Sequence, residues 1–434
     1  MSNSDGTRDS RLSDGASGAA ADGRWVSGGR PATVPDAAGP VRTKKGRKRR
    51  RRRRRGPVFA RDAAAAMPGT AGPATALQGS LAVAASVAVA ADVNGPFYAA
   101  LDLGTNNCRL LVAEPREHGF RVVDAFSRIV RLGEGIGANG RLGEAAMERA
   151  IEALRICRTK LAERNVTRAR MIATEACRAA ANGAEFIARV ERETGLALEI
   201  VTRETEARLA VAGCASLVDT TASGVILFDI GGGSSELVWI DLAPSPDGRR
   251  RRLTDRIRSW MSLPVGVVNV SERHGGRHIT RGLFDRMVDE VSAMVETFPE
   301  GAALDAAVAG GGVHMLGTSG TVTTLAGIHL KLERYDRRRV DGVWLSGIQV
   351  ADLIDELAGM DYEARVGNPC IGRERADLVL AGCAILEAIR RRWPCERLRV
   401  ADRGLREGLL VEQMARDGVW RPRSGRRQGE ASHG

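Results

Sequence analysis

The sequence predicts an α/β protein made of two similar halves that face each other across a cleft, preceded by a disordered basic tail. Three observations carry this. From Phe97 onward, short apolar runs alternate with amphipathic stretches, the pattern of strands alternating with helices. One unit of strand, aspartate, glycine-rich turn and strand occurs twice: LDLGTNNCRLLV laid over FDIGGGSSELVW puts Asp102 on Asp229, Gly104 on Gly231, Asn107 on Ser234 and Leu110 on Leu237, at a constant offset of 127 residues. A unit that recurs at the start of two α/β segments points to like halves. Residues 1–95, by contrast, are rich in Ser, Gly, Ala, Pro, Asp and Arg and show no sustained apolar period, as disordered segments do.

Composition narrows the functional classes. Hydrophobic residues make up 43% of the 434, enough for a sizeable core, and aromatics only 4%, so that core must be built from Ala, Val, Leu and Ile. The net charge of +12 suggests a nucleic-acid binder until it is located. Arg42–Arg55 holds twelve basic residues and no acid, and the remaining 53 Lys and Arg balance the 53 Asp and Glu. The basic character therefore belongs to one segment, and the body is neutral. Seven cysteines (Cys108, Cys157, Cys177, Cys214, Cys370, Cys383 and Cys395) form no C-x-x-C pair and read as reduced thiols of a cytoplasmic protein. His274 and His278 have a metal-like spacing but lack the acidic partner of a zinc helix. The apolar window Leu81–Ala91 is too short to span a bilayer and too deep in the chain for a signal peptide, so no membrane association is expected.

In chain order, FYAALDLG and CRLLVAEP read as strands, and FRVVDAFSRIVRLGEGI as a third strand running into a loop. LGEAAMERAIEALRICRTKLAERN has Ile151, Leu154 and Leu161 at helical spacing. ARMIATEAC reads as strand and turn, NGAEFIARVERETG as a helix closed by glycine, and LEIVTRETEARLAVAGCASL as strand then helix. GVILFDI and ELVWID flank the second glycine turn as strands. SWMSLPVGVVNVSERH reads as strand, loop and helix start, AVAGGGVHMLGTSGTVTTLAGIHL as a glycine-rich loop feeding a helix, RADLVLAGCAILEAIRRRW as a buried helix, and RVADRGLREGLLVEQM as strand, turn and final helix. The expected divisions are a tail at 1–95, domains at 96–220 and 221–416, and a second tail at 417–434.

The turns carry the chemistry. A tight hairpin needs only one or two residues with positive φ. Three consecutive glycines, Gly231, Gly232 and Gly233, exceed that need and cost chain entropy. Such density lets backbone N–H groups converge on an anion, as in phosphate nests. Asp102 and Asp229 precede the two turns, and carboxylates beside bound phosphate suit Mg²⁺. A lone aspartate there would read simply as a turn cap; the matched pair favours phosphate and metal. LGTSGT (Leu316–Thr321) is a third glycine-rich loop before a helix, where free N–H groups and the dipole favour an anion. Hydrolysis also needs a base. Glu204 and Glu206 in RETEARL stand at a helix start, where spacing alone fits a dipole-stabilising acid equally well.

Together DLGTNNCRLL, ATEACR, EARL, DIGGGSSEL, LGTSGT, RAD and LREGLL, in this order, resemble the exopolyphosphatase / guanosine pentaphosphate phosphohydrolase family of the actin, sugar kinase and Hsp70 superfamily, over about Phe97–Met414. The resemblance implies two ribonuclease-H-like domains around a cleft and Mg²⁺-dependent removal of a terminal phosphate from inorganic polyphosphate or guanosine pentaphosphate; a homodimer is a separate expectation. It gives Glu206 the catalytic role of orienting and deprotonating water, and Asp102 and Asp229 the metal side. It makes Gly104, Thr105, Asn106 and Asn107, Gly231, Gly232, Gly233, Ser234 and Ser235, and Ser319, Gly320 and Thr321 the phosphate contacts. Arg131 and Arg178 are expected beside the cleft, neutralising substrate phosphates. The sequence departs from the family where Arg203 and Thr205 replace a usual Gly and Glu before EARL, and with no His-Asp dipeptide it is expected to be a short form without the C-terminal His-Asp domain of longer members.

Three alternatives stay open. One is the choice between the two phosphate substrates. Another is a sugar-kinase-like transferase on the shared superfamily turns, for which the chain is short. The third is a binder of RNA or polyphosphate acting through Arg42–Arg55, with strong salt dependence.

Overall fold

The structure is a computed structural model and describes residues 96–244 and 251–420. The expected tail, with Arg42–Arg55 and Leu81–Ala91, lies outside the described residues, as do residues 421–434.

The first half comprises β1 (Tyr98–Leu103), β2 (Asn107–Pro115), β3 (Phe120–Ile129), α1 (Ile136–Asn139), α2 (Glu144–Glu163), β4 (Arg168–Ala173), α3 (Glu175–Ala179), α4 (Gly183–Thr194) and β5 (Glu199–Ile200). Next come α5 (Arg203–Cys214), β6 (Gly224–Ile230), β7 (Ser235–Asp241), β8 (Ile257–Leu263), α6 (Val267–His274), α7 (Arg281–Val295) and α8 (Gly301–Ala309). The chain continues through β9 (Val313–Thr318), α9 (Ser319–His329), α10 (Arg337–Val340), β10 (Trp344–Ser346), α11 (Gly347–Gly359), α12 (Tyr362–Gly367), α13 (Val379–Arg392), β11 (Arg397–Ala401) and α14 (Leu405–Arg416).

The expected pair of like α/β halves is found, each built on its own sheet. The first sheet has the order β3-β2-β1-β4-β5 and the second β10-β11-β9-β6-β7-β8. Read from β8, the second repeats the first, with β8-β7-β6-β9-β11 in place of β3-β2-β1-β4-β5, and β10 is an added antiparallel edge. In both sheets the central strand pairs antiparallel with the next strand and parallel with the one after the helices. The register carries the repeat further: Asp102 pairs across β2 with Arg109, and Asp229 across β7 with Glu236, again 127 residues apart. β9 is a correction, because VHMLGT was expected within a glycine-rich loop and is instead a central strand beside β6. Gly317 hid it: a Cβ there would lie 2.5 Å from the Phe228 ring, so the strand has glycine where the core is tightest.

Helix boundaries follow local chemistry. Ile151, Leu154 and Leu161 of α2 are buried, as their spacing predicts. α4 ends at Gly195, whose φ of 69° lets its N–H reach the Glu191 carbonyl. Thr202 caps α5, its hydroxyl accepting from the Thr205 N–H at 3.2 Å.

α2 and α4 cover one face of the first sheet, and α7, α9, α11 and α13 pack in the large core of the second. Between the sheets lies a shared layer. Leu209 of α5 and Leu409, Leu410 and Met414 of α14 pack on Tyr98, Ala100 and Leu111, while Ala207, Ala210 and Val211 of α5 pack on Val225, Leu227 and Val238. α5 and α14 cross backbone to backbone, since a Cβ at Gly213 would lie 1.9 Å from the Gly404 carbonyl oxygen and one at Gly408 2.0 Å from that of Leu209. This crossing fixes the helix bearing Glu206 against the helix bearing Arg406 and Glu407, directly under the cleft. Beyond α14, Asp417 accepts from the Tyr98 hydroxyl at 2.8 Å and Trp420 donates to the Arg116 carbonyl at 2.9 Å, so the first residues of the expected C-terminal tail are tied to the first sheet. No helix among the described residues is long and apolar enough to cross a membrane.

Candidate active site

The cleft lies where the turns of the two central hairpins meet. Asp102, Gly104, Thr105, Asn106, Asn107, Glu206, Asp229, Gly231, Gly232, Gly233, Ser234, Ser319, Gly320 and Thr321 all line it, gathered from both halves.

The two turns touch. A Cβ on Gly232 would lie 2.8 Å from the Thr105 Cβ, and one on Gly233 2.8 Å from the Thr105 hydroxyl. The glycines of the second turn therefore make room for the first, a packing reason that the hairpin alone does not supply. Each turn closes on itself, Gly104 N–H to the Asn107 carbonyl and Gly231 N–H to the Ser234 carbonyl, both at 2.9 Å. The carbonyls of Gly231 and Gly232 accept from Val267 and Val268 at the start of α6. Among the described residues, no acceptor takes the N–H groups of Thr105, Asn106, Gly232 or Gly233, which leaves four donors for an anion. Ser319, which opens α9, has φ 73° and donates its hydroxyl to Asp229. Left-handed backbone at a serine is strain held at a site.

α6 underpins the second turn so closely that a Cβ on Gly266 would lie 2.3 Å from the Gly232 carbonyl carbon. Gly266→Ala is therefore expected to displace that turn, lowering kcat/KM by about 10²-fold for about 1–3 kcal/mol of stability. Steady-state rates beside a thermal melt check this, and wild-type rates would show the turn to be free of α6.

Burial charges the cleft with tension. Asp102 is pushed up to about 6, first by burial and then by its carboxylate neighbours, and its Oδ1 is buried without a hydrogen-bond partner. Burial also raises Asp229, although the Ser319 hydroxyl opposes it. Glu206 stands well above the usual carboxylate range through burial and the nearby Glu236, with Arg178 pulling the other way. Glu236 is pushed up to about 7 by burial and Asp229, while the Ser234 and Ser262 hydroxyls each donate to its Oε1 at 2.9 Å. Several carboxylates so close together call for cations.

Three expected contacts are placed differently. Arg178 does not line the cleft; it donates to Glu206 at 3.1 Å, to Glu175 at 2.5 and 3.0 Å and to the Val201 carbonyl at 2.6 Å, so it braces Glu206. Arg131 forms a two-pronged ion pair with Asp377 at 3.0 and 3.1 Å, which neutralises the charge expected for substrate. Ser235 turns its hydroxyl to the Val265 carbonyl at 2.7 Å and is buried in the strand.

In their place stand residues that were quoted within motifs but given no role. Arg109, Arg375 and Arg406 line the cleft, and among the described residues their guanidinium groups make no hydrogen bond or ion pair. Arg109 and Glu236 could have been found from the repeat, because each faces the aspartate of its hairpin at the same register. Glu175 also lines the cleft and accepts from Arg203 at 2.8 Å, so the residue that departs from the family pattern neutralises a cleft carboxylate.

Residues 111–417 match the family model of the Ppx/GppA phosphatase family. A guanosine-5'-triphosphate,3'-diphosphate pyrophosphatase of Aeromonas salmonicida is 30% identical over 321 residues, covering 73% of this chain and 59% of that protein. Exopolyphosphatase 2 of Mycobacterium tuberculosis is 28% identical over 330 residues, covering 72% of this chain and 97% of that protein. The chain thus spans about three fifths of the first relative and nearly all of the second. Among solved structures, the Aquifex aeolicus Ppx/GppA family member superposes with a TM-score of 0.58 at 28% identity, covering 74% of this chain and 98% of that one. An exopolyphosphatase-like protein superposes with a TM-score of 0.65 at 27% identity, covering 74% and 99%.

Proposed function

The chain belongs to the Ppx/GppA phosphatase family, and on that premise we propose that its cleft hydrolyses the terminal phosphate of inorganic polyphosphate. The observation that carries this is Glu206, a largely shielded carboxylate that shares the cleft with two glycine turns whose N–H groups, and with arginines whose guanidinium groups, have no partner among the described residues. The turns supply donors that hold the terminal phosphoryl group, and Arg109, Arg375 and Arg406 offset its charge. Glu206, braced by Arg178, takes a proton from water as the water oxygen bonds to phosphorus. The bridging P–O bond breaks, releasing phosphate and a chain one unit shorter.

Asp102 and Asp229 fit Mg²⁺. Oδ1 of Asp102 is a buried acceptor with no partner among the described residues, and a hard dication prefers carboxylate and water oxygens. Among the described residues no cluster of three His, Cys, Asp or Glu could hold a metal, so the rest of the shell would come from water and phosphate. When bound, the ion would neutralise phosphate charge.

Guanosine pentaphosphate is the second reading, favoured by the name of the Aeromonas relative. The coverage of the two relatives tips the choice toward polyphosphate, since this chain spans 97% of the exopolyphosphatase and 59% of the pyrophosphatase. Arg42–Arg55 would add a polyanion contact. The deciding experiment is phosphate release with Mg²⁺ from long polyphosphate, guanosine pentaphosphate and ATP, with and without residues 1–95. Release is expected fastest from polyphosphate, stopped by EDTA, and slowed at low salt by the truncation. Fastest release from ATP would overturn the assignment.

A further inference from the structure

We propose that Arg131 is a positioning residue: with Asp377 it forms a clasp across the cleft that joins the first phosphate turn to the half carrying the second. The proposal rests on the reading of the cleft as a phosphate site, and its geometry stands independently of the substrate.

The guanidinium meets both oxygens of Asp377, Nη1 to Oδ2 at 3.0 Å and Nη2 to Oδ1 at 3.1 Å, and Nη2 also donates to the Glu374 carbonyl at 3.2 Å. This fork-on-fork geometry is specific to arginine. The two side chains are 33% and 19% exposed, so the pair is partly shielded from salt. Arg131 has φ 45°, and left-handed backbone at a long side chain persists only where surrounding contacts enforce it.

The strained turn has a use. It lets the N–H groups of Val130 and Arg131 both reach the Asn106 carbonyl, at 2.9 and 3.1 Å, while Gly133 N–H reaches the Thr105 carbonyl at 2.9 Å. The first phosphate turn is thus held from behind by the segment whose side chain grips the other half. Among the described residues its front N–H groups have no acceptor and the Asn106 side-chain oxygen, buried in the cleft, has no partner.

At the far end, the Ser271 hydroxyl of α6 donates to the Asp377 carbonyl at 2.8 Å, and α6 is the helix that supports the second phosphate turn. Gly135 N–H donates to Glu272 of α6 at 2.9 Å, a second link between the same two segments. Arg375, two residues before Asp377, lines the cleft. The clasp therefore ties the back of the first phosphate turn to the helix beneath the second and to the segment that carries a cleft arginine.

The test uses three variants of the full chain. Arg131→Asn removes the cation and keeps a residue that tolerates left-handed backbone. Asp377→Asn removes the anion. Arg131→Asp with Asp377→Arg exchanges the charges. Each single variant is expected to raise KM for polyphosphate by about tenfold with a smaller change in kcat, and to widen the radius of gyration in small-angle scattering. Their combination should be no worse than either alone, and the exchange should recover most of the loss. An inactive Arg131→Asn beside an unimpaired Asp377→Asn would overturn the clasp and make Arg131 a direct substrate contact. Unchanged scattering and unchanged KM in both singles would also overturn it. Absence of phosphate release in the wild type would sink the hydrolase reading alone, because the scattering readout needs no turnover.

Discussion

Glu206→Gln is expected to lower kcat by about 10²–10⁴-fold while polyphosphate binding stays near the wild-type level. The amide has the shape of the carboxyl and still offers an oxygen to Arg178, 3.1 Å away in the wild type, so the brace survives. What disappears is the ability to accept a proton from water. Pre-steady-state phosphate release measures the first quantity and equilibrium binding the second; undiminished release would remove Glu206 from the mechanism. The pH profile gives an independent reading. In the proposed mechanism Glu206 works ionised, and burial followed by the charge of Glu236 raises its pKa, so activity should climb with pH through a point above the ordinary carboxylate range. Glu236→Gln removes one of the raising charges and should move that limb to lower pH.

Much of this site was legible because both hairpins announce themselves. Short apolar runs that end in Asp102 and Asp229 and turn at once through glycine read as buried strands, and the 127-residue offset makes the two turns equivalents. Helices with one apolar face, such as α2, were equally plain. Three things escaped for physical reasons. β9 carries Gly317 against Phe228, and a glycine in a strand reads as loop when its packing partner is 89 residues upstream. α5 and α14 are buried between two sheets, yet small residues on several faces give no stripe that tells which sheet each serves. The fates of Arg131 and Arg178 depend on pairing. A motif marks an arginine as near the site, but whether its charge reaches substrate is decided by carboxylates such as Asp377, 246 residues away. Arg109, Arg375 and Arg406 sit in equally ordinary sequence and have no hydrogen bond or ion pair among the described residues.

The second large effect falls on stability. In metal-free protein, Asp102→Asn is expected to raise Tm at pH 8 by several degrees. The carboxyl is pushed from its ordinary 3.8 up to about 6, chiefly by burial, so the folded state holds this proton more tightly than the unfolded chain. The contribution is therefore complete below about pH 4 and lost as pH rises through about 6. At neutral pH the ionised group, offset only in part by Arg109 and Arg406, costs about 3 kcal/mol, which a neutral amide of the same shape avoids and which several degrees of Tm would report. Melts in EDTA should show the wild type and the variant far apart at pH 8 and converging below pH 4. Adding Mg²⁺ should then raise the wild-type Tm and leave the variant nearly unmoved, because a ligand that binds only the folded state stabilises it by mass action. A variant that melts below the wild type at every pH would mean that Asp102 stabilises the turn and is not held there against its own burial. Equal Mg²⁺ shifts in both proteins would place the ion elsewhere. The expected result would instead mean that the fold keeps a carboxylate which works against stability until a cation arrives, so the energy of metal binding is also the energy that settles the cleft.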